Sequence, residues 1–207
     1  METEQALGQS PQVVAFDFDG TLTIQDSYTS FLRHRSGSSR YLSGLMTLLP
    51  ELITYPVRRD RGRLKAAATR TFLAGQSATV VAEEARQFAD EVWGRFMRPD
   101  ALKCWEAWGR AGATRVIVTA SPSLTVRPFA DRLGADLLLG TELERVDDRL
   151  TGGFATPNCR AAEKVVRLRD AFGPGIRLAA AYGDTSGDTE MLAIADYRGW
   201  REFVERP

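Results

Sequence analysis

The sequence has 207 residues, of which 43% are hydrophobic and 26% charged, and it predicts one globular domain with an insertion. Lys plus Arg and Asp plus Glu each number 27, so the formal net charge is zero. This balance argues against a general nucleic-acid binder, because such proteins normally carry a basic excess.

Three further features predict a cytoplasmic protein. The two cysteines, Cys104 and Cys159, follow no metal-ligand spacing and are predicted to be reduced thiols. No apolar run reaches the ~18–20 residues that a membrane-spanning helix needs. The first twelve residues are polar and acidic, and they lack the pattern of a signal peptide.

Strands and helices alternate along most of the chain. The run VVAFDFD (13–19) predicts a buried strand, because it is short, apolar and β-branched and is closed by a turn. The same signals predict further strands and helices, with strands at 114–121, 135–143 and 176–184, and helices at 124–134, 159–173 and from 189. The stretch ERVDDRLTGGF predicts a small hairpin. Apolar strands that alternate with helices predict an α/β fold with a doubly wound parallel sheet.

The exception to this alternation is residues 24–111, where periodic apolar positions predict helices throughout. We therefore predict two domains. Residues 1–23 and 112–207 would form the Rossmann-like catalytic core, and residues 24–111 would form a helical cap inserted after the first strand.

Polar side chains follow the predicted strands at the point where each strand ends. They are Asp17 and Asp19 at the end of the first strand, Thr119 and Ser121 at the end of the second, and Asp184 at the end of the fourth, with Asp188 four residues later. Lys164 lies on the helix before that fourth strand. In a parallel sheet, ligands bind beyond the carboxyl ends of the strands, so we expect these side chains to form one site.

The residue types of this predicted site indicate phosphoryl chemistry. Clustered carboxylates resist ionisation unless a cation neutralises them, and few hard oxygen ligands suit Mg²⁺. Thr119 and Lys164 supply donors for phosphate oxygens, and Gly20 lets the backbone approach an anion closely. The only histidine, His34, lies in the insertion among arginines, where we expect a surface role. A carboxylate must then act as nucleophile, with another as acid and base.

Four segments in order, DFDGTLT, VTAS, CRAAEK and YGDTSGDTEML, resemble the motifs of the haloacid dehalogenase (HAD) superfamily of phosphohydrolases. The helical insertion after the first motif resembles the phosphoserine phosphatase branch, subfamily IB. The resemblance implies that Asp17 becomes an aspartyl-phosphate, and that Asp19 protonates the leaving alcohol and then activates water. It also implies that Asp17, the backbone carbonyl of Asp19 and Asp184 hold Mg²⁺, with Asp188 as a supporting carboxylate.

The same resemblance assigns the phosphoryl contacts, which would come from Gly20, Thr119, Ala120, Ser121 and Lys164. The dehalogenases of this superfamily lack the second aspartate of the first motif, so Asp19 favours phosphoryl transfer over dehalogenation.

The sequence leaves the substrate open, and the cap is expected to choose it. The segment DSYTSFLRHR with the apolar stretch behind it resembles bacterial phosphatidylglycerophosphate phosphatases, which implies a lipid head-group phosphate. A small soluble phosphomonoester such as phosphoserine is the alternative, although the first cap segment offers Asp26 and no glutamate, the residue with which phosphoserine phosphatases usually recognise their substrate. A non-catalytic regulatory or interaction protein on the same fold is the third possibility.

Residues 41–57 are mostly apolar, and a basic cluster follows, formed by Arg58, Arg59, Arg61, Arg63 and Lys65. One interpretation is a core helix that ends in a solvated basic turn. The other is an interfacial element that lies on the anionic inner face of a membrane. Three arginines either face solvent or serve the site, and these are Arg127, Arg132 and Arg160.

Overall fold

The computed structural model describes residues 12–49, residue 53 and residues 61–207. Its strands are β1 (Val13–Phe16), β2 (Thr114–Pro122), β3 (Leu137–Thr141), β4 (Leu143–Val146), β5 (Arg149–Phe154), β6 (Leu178–Gly183) and β7 (Ala195–Trp200). The helices of this described part are α1 (Ser27–Thr47), α2 (Arg61–Leu73), α3 (Ala78–Phe96), α4 (Pro99–Arg110), α5 (Ser123–Leu133), α6 (Ala162–Phe172) and α7 (Thr189–Ala193).

Five of the strands form one parallel sheet in the order β3–β2–β1–β6–β7, which confirms the predicted fold class. Strand β1 lies in the middle, with Phe16 opposite Ile117 of β2 on one side and Tyr182 of β6 on the other. The chain winds from β1 towards β3 and then returns to β6 and β7. The strand order therefore reverses at β1 and β6, where a doubly wound sheet binds its ligands.

The sheet is buried on both faces, as its apolar strands predict. Val14 and Phe16 belong to one hydrophobic cluster, and Val13 and Ala15 belong to a second cluster on the opposite face. This alternation follows from the two-residue period of a strand. Strand β1 is therefore held firmly, and the residues that follow it start from a rigid support.

Two elements differ from the sequence-based boundaries. Strand β1 ends at Phe16, and a tight helical turn follows over Phe18–Leu22, so Asp17 and Asp19 lie beyond the strand. The run 135–143 splits into β3 and the first strand of the antiparallel pair β4–β5. The sequence pattern also missed β7, whose sequence ADYRGW has exposed polar side chains because it is an edge strand.

The segment that leaves the sheet after β1 and the segment that returns to it before α4 lie next to each other. Ile24 donates its N–H to the carbonyl of Phe96, and Arg98 donates to the carbonyl of Leu22, both at 2.9 Å. Helix α4 then packs on the sheet, where the ring of Trp105 meets Phe16 edge to face at 5.0 Å. The division into core and cap stays a prediction, and these contacts lead us to propose a cap of residues 24–97.

Part of the apolar stretch at 41–57, together with Arg58 and Arg59, lies outside the described residues. Among the helices that are described, none is long and apolar enough to cross a membrane.

Candidate active site

A buried lysine lies at the centre of the candidate site. Lys164 of α6 is only 1% exposed, and its Nζ donates to Asp17 Oδ1 at 2.6 Å and to Asp188 Oδ1 at 2.7 Å. It also donates to the carbonyl oxygen of Val118 at 2.6 Å, so all three ammonium protons have acceptors. A buried charge needs such partners, because an unpaired one would be very costly.

Burial and the neighbouring charges shift the acidity of these groups. Burial raises the pKa of Asp17 to about 7, although the ammonium of Lys164 opposes the shift. Burial alone would lower the pKa of Lys164, but Asp17 and Asp188 raise it above its usual value. Burial and the charge of Asp188 also raise the pKa of Asp184. A further cation nearby would favour the ionised forms of Asp17 and Asp184.

The acidic groups lie close enough to hold a metal ion. Asp17, Asp184 and Asp188 each place a carboxylate oxygen so that all three lie within 4.8 Å of one another. Asp188 is already engaged, since its Oδ2 accepts from the backbone N–H groups of Asp184 and Thr185 and from the Thr185 hydroxyl. The carboxylate of Asp184 accepts one long hydrogen bond from a described residue, the Thr21 hydroxyl at 3.4 Å. Asp17 and Asp184 are thus suited to be metal ligands, and Asp188 is suited to hold the neighbouring backbone in place.

Gly20 permits the close approach of two of these segments. Its φ is +86°, and a Cβ at this position would lie 2.4 Å from Asp184 Oδ2. Any other residue would combine an unfavourable backbone conformation with a clash against this carboxylate. Gly20 therefore brings the turn after β1 against the end of β6.

Asp19 is the second carboxylate of the turn, and both of its oxygens accept hydrogen bonds. The backbone N–H of Ser27 donates to Oδ1 at 2.7 Å, and the Ser121 hydroxyl donates to Oδ2 at 2.5 Å. Burial and then the charge of Asp26 raise its pKa. A carboxyl group that is oriented and readily protonated in this way is suited to general acid catalysis.

A cavity of about 530 Å³ opens above these groups. Its floor is polar and includes Asp17, Asp19, Thr119, Ala120, Lys164 and Asp188. Its wall comes from α1, α2 and the residue after α1, and is mostly apolar, with Tyr28, Leu32, Tyr41, Leu45, Leu48, Leu64, Ala68 and Phe72. The site therefore joins a charged floor to a wall that suits an apolar or amphipathic group.

A family model described as haloacid dehalogenase-like hydrolase matches residues 14–193. This chain belongs to the haloacid dehalogenase-like (HAD) hydrolase family. The predicted superfamily is thereby confirmed, and so is the prediction of an enzyme of the HAD hydrolase class, within which the sequence predicted a phosphatase.

Curated relatives of this HAD protein include Protein CicA of Caulobacter vibrioides, which is 55% identical over 97% of this chain and 90% of that protein. Phosphoserine phosphatase SerB2 of Mycobacterium tuberculosis is 27% identical over 90% of this chain and 43% of that protein.

Solved structures share the HAD fold. A protein of unknown function from Bordetella pertussis Tohama I superposes with a TM-score of 0.76 at 23% identity, covering 89% of this chain and 87% of that one. A substrate-bound phosphoserine phosphatase gives a TM-score of 0.64 at 14% identity, covering 93% and 87%. The fold is therefore one that phosphoserine phosphatases share, as the predicted resemblance implied.

The HAD motifs converge at the carboxyl edge of the sheet, but two of the predicted phosphate-binding residues do not face the cavity. Thr119 and Ala120 line the cavity, but the Ser121 hydroxyl is directed to Asp19 and its backbone N–H donates to the Thr119 hydroxyl at 3.1 Å. Gly20 is likewise turned towards Asp184 and is not among the residues that line the cavity. All of the predicted phosphate contacts, including those of Gly20 and Ser121, stay predictions.

The cavity also contains polar residues that the sequence did not assign to the site, among them Lys65 and Asn158. Lys65 was grouped with the basic cluster of a membrane surface, but its Nζ lies 3.0 Å from the carbonyl oxygen of Ala120. Leu45 and Leu48, which belong to the apolar stretch at 41–57, line the cavity. No local pattern distinguishes Lys65, because its partners lie more than 50 residues away in the chain.

The remaining candidates lie away from the cavity. His34 is a surface residue, 3.7 Å from Glu91. The guanidinium of Arg132 stacks on the ring of Trp93 at 4.2 Å, and Arg127 is exposed to solvent. Arg160 alone of the three candidate arginines lines the cavity.

Proposed function

We propose that this HAD protein is a Mg²⁺-dependent phosphatase that hydrolyses phosphomonoesters through an aspartyl-phosphate at Asp17. The observation that carries the proposal is the buried Asp17 beside Lys164 on the floor of the cavity. The described residues that line this cavity include no histidine and no cysteine that could activate a hydroxyl or act as a thiolate, so we assign the nucleophile to the Asp17 carboxylate.

In the first step, Asp17 attacks phosphorus through Oδ2, since its Oδ1 accepts from Lys164. A bond forms between this oxygen and phosphorus, and the bond from phosphorus to the ester oxygen breaks. Asp19 gives its proton to the departing oxygen, so the product leaves as a neutral alcohol. The ammonium of Lys164 offsets negative charge on the floor of the site throughout.

In the second step, Asp19 acts as a base. Its carboxylate takes a proton from water as the water oxygen attacks phosphorus, and the bond between phosphorus and Asp17 breaks. Inorganic phosphate leaves and the Asp17 carboxylate is restored. The hydrogen bonds from Ser27 and Ser121 hold Asp19 in place for both transfers.

Asp17, the backbone carbonyl of Asp19 and Asp184 would hold Mg²⁺, as the mutual distances of the carboxylates and the raised pKa of Asp17 support. When bound, the ion supplies positive charge that favours the ionised carboxylates and the phosphoryl oxygens.

The apolar wall supports a substrate whose alcohol has an apolar part. We favour a lipid head-group phosphate such as phosphatidylglycerophosphate, because its head group would reach the floor while apolar atoms meet Leu32, Leu45 and Phe72. The names of SerB2 and of the substrate-bound structural neighbour support the alternative, phosphoserine or another small phosphomonoester.

An exposed apolar face supports contact with the inner surface of a membrane. Leu42, Met46, Leu49 and Ile53 recur every three or four residues and are 64%, 63%, 40% and 72% exposed. Leu42 and Met46 lie four residues apart on α1, so they share one face of that helix. The other face of α1 lines the cavity, so a lipid bound by the exposed face would lie near the entrance of the site.

A phosphate-release panel tests the proposal. It contains an aryl phosphate, phosphoserine, a sugar phosphate and phosphatidylglycerophosphate in detergent, each with and without Mg²⁺. We expect turnover that requires Mg²⁺, a preference for the lipid phosphate, and complete loss in Asp17→Asn, because an amide does not attack phosphorus. Preference for phosphoserine would favour the soluble alternative, and no release from any substrate would favour a non-catalytic protein.

A further inference from the structure

Lys65 connects the inserted helices to the edge of the sheet at a point that the proposed reaction does not use. It lies on α2, and its Nζ donates to the Ala120 carbonyl oxygen at 3.0 Å and to Ser121 Oγ at 3.3 Å. Both acceptors belong to β2. Lys65 therefore bridges from the cap side of the cavity to its floor.

The Lys65 ammonium and the Ser121 hydroxyl determine the direction of the hydrogen bond between Ser121 and Asp19. An ammonium group has only protons to donate, and a hydroxyl has a single proton. Because Ser121 Oγ accepts from Lys65, its own proton is directed elsewhere, and it meets Asp19 Oδ2 at 2.5 Å. Lys65 thus acts on Asp19 through the hydroxyl of Ser121.

The position of Lys65 depends in turn on how α1 and α2 pack. The buried hydroxyl of Thr69 donates to the Lys65 carbonyl oxygen at 2.8 Å and lies 2.8 Å from the hydroxyl of Tyr28 on α1. Nζ also lies 5.9 Å from the centroid of the Tyr28 ring, within range of a cation–π interaction. The lysine is held in place from both helices.

We propose that Lys65 is a positioning residue that holds Asp19, through Ser121, in the orientation that protonates the leaving alcohol. The proton donor is then completely oriented only when α2 lies against the end of β2. This inference rests on the proposed phosphatase function, and it adds a role for a residue outside the four motifs.

The test compares substrates that differ in how much they need a proton donor. Native protein, Lys65→Met, Lys65→Arg and Ser121→Ala are assayed with Mg²⁺ on 4-nitrophenyl phosphate and on an alkyl phosphate. Aryl leaving groups depart with little help, whereas alkyl alcohols need protonation. Lys103→Met is the matched control, because Lys103 is 73% exposed and pairs with Glu205 on the surface.

General acid catalysis contributes ~10²–10⁴-fold, and a positioning residue supplies part of it. We therefore expect Lys65→Met to lower kcat on the alkyl phosphate by about 10–100-fold and on the aryl phosphate by much less. Lys65→Arg should restore most of the alkyl activity, because it keeps a cationic donor. Ser121→Ala should show the same selectivity, and the double variant should be no worse than the more impaired single one, since the residues act in series.

Other outcomes overturn the inference. A raised KM with unchanged kcat on both substrates would mean that Lys65 binds substrate instead. Equal losses of kcat on both, with a lowered Tm, would mean a structural role only. Native protein that hydrolyses neither substrate would overturn the proposed function and the inference with it, whereas active native protein with an unselective Lys65→Met would overturn the inference alone.

Discussion

Lys164 places one positive charge between two carboxylates in the interior of the protein. Asp17 and Asp188 are buried, and each accepts from its Nζ within 2.7 Å. Such a cluster is sensitive to the loss of Lys164, because the two buried carboxylates would then face each other without the ammonium that pairs with both. The same residue therefore supports both the stability of the fold and the reactivity of the site.

Replacement of Lys164 by methionine should destabilise the protein by about 3–5 kcal/mol, the usual cost of breaking a buried ion pair from one side. Urea unfolding followed by circular dichroism measures the loss. Lys103→Met, which removes an exposed pair, should change the free energy of unfolding by only about 0–1 kcal/mol. Equal stability of both variants would contradict the buried charge cluster.

Gly20 and Gly112 offer a matched pair of substitutions. Both have positive φ, at +86° and +76°, but only Gly20 faces another group, since nothing lies within 4 Å of a Cβ at Gly112. Gly20→Ala should displace Asp184, so we expect weaker Mg²⁺ binding, seen as a higher Mg²⁺ concentration for half-maximal activity. We also expect at least about a tenfold loss of turnover, equivalent to 1.4 kcal/mol. Gly112→Ala carries the backbone strain alone and should keep its turnover. A Mg²⁺ titration of activity separates them, and an active Gly20→Ala would contradict the predicted clash.

Helix α1 serves the site at two places along its length. Its first residue, Ser27, donates its backbone N–H to Asp19, and Tyr41 and Leu45 line the cavity farther along. Gly37, with φ of +68°, breaks the helix between these two places. The N-terminal end of α1 must therefore be held firmly if Asp19 is to keep its orientation.

Asp26 caps that end of the helix, since its side chain accepts from the backbone N–H of Thr29 at 2.7 Å. Asp26→Ala removes the cap and should destabilise the protein by about 0.5–2 kcal/mol. Asp26→Asn keeps an acceptor at the same place, so it should lower the free energy of unfolding by only a few tenths of a kcal/mol. Thermal unfolding of both variants at one Mg²⁺ concentration measures the difference, and losses of equal size would show that the cap is not what Asp26 contributes.

At the scale of the whole molecule, the sheet and the inserted helices contribute different parts of the site. The edge of the sheet supplies the charged floor, and the inserted helices supply the apolar wall of the cavity. The outer face of α1 then presents Leu42 and Met46 to the solvent. The charged site and an exposed apolar surface therefore lie on opposite faces of α1, and this arrangement is the basis of the proposed lipid substrate.

Vesicle sedimentation tests the membrane proposal. The native protein should sediment with anionic vesicles far more than with zwitterionic ones, and less as salt is raised, since screening acts over ~8 Å at physiological ionic strength. Replacing Leu42 and Met46 by glutamine should weaken binding. Replacing Val146 and Val204, which are 64% and 74% exposed elsewhere, should not. If the native protein stays in the supernatant with both vesicle types at low salt, a soluble phosphomonoester becomes the better substrate.

Much of the architecture could be predicted from the sequence, because its signals are local. The apolar runs of β1, β2 and β6 are short and end in polar residues, so they indicate buried strands and the edge where Asp17, Thr119 and Asp184 meet. Strand β7 escaped prediction because an edge strand alternates less clearly, and Tyr197 and Arg198 face outwards.

The sequence by itself determined the parallel sheet, its helical insertion and the family, since periodicity and motif spacing are properties of neighbouring residues. Only the tertiary structure decided that Lys65 lies in the site, that Ser121 faces Asp19, and that the insertion covers the cavity with apolar side chains. Each of these contacts joins segments that are distant in the chain, and such pairs leave no local pattern. They arise from the packing of whole helices on the sheet, where burial of apolar surface decides which side chains meet.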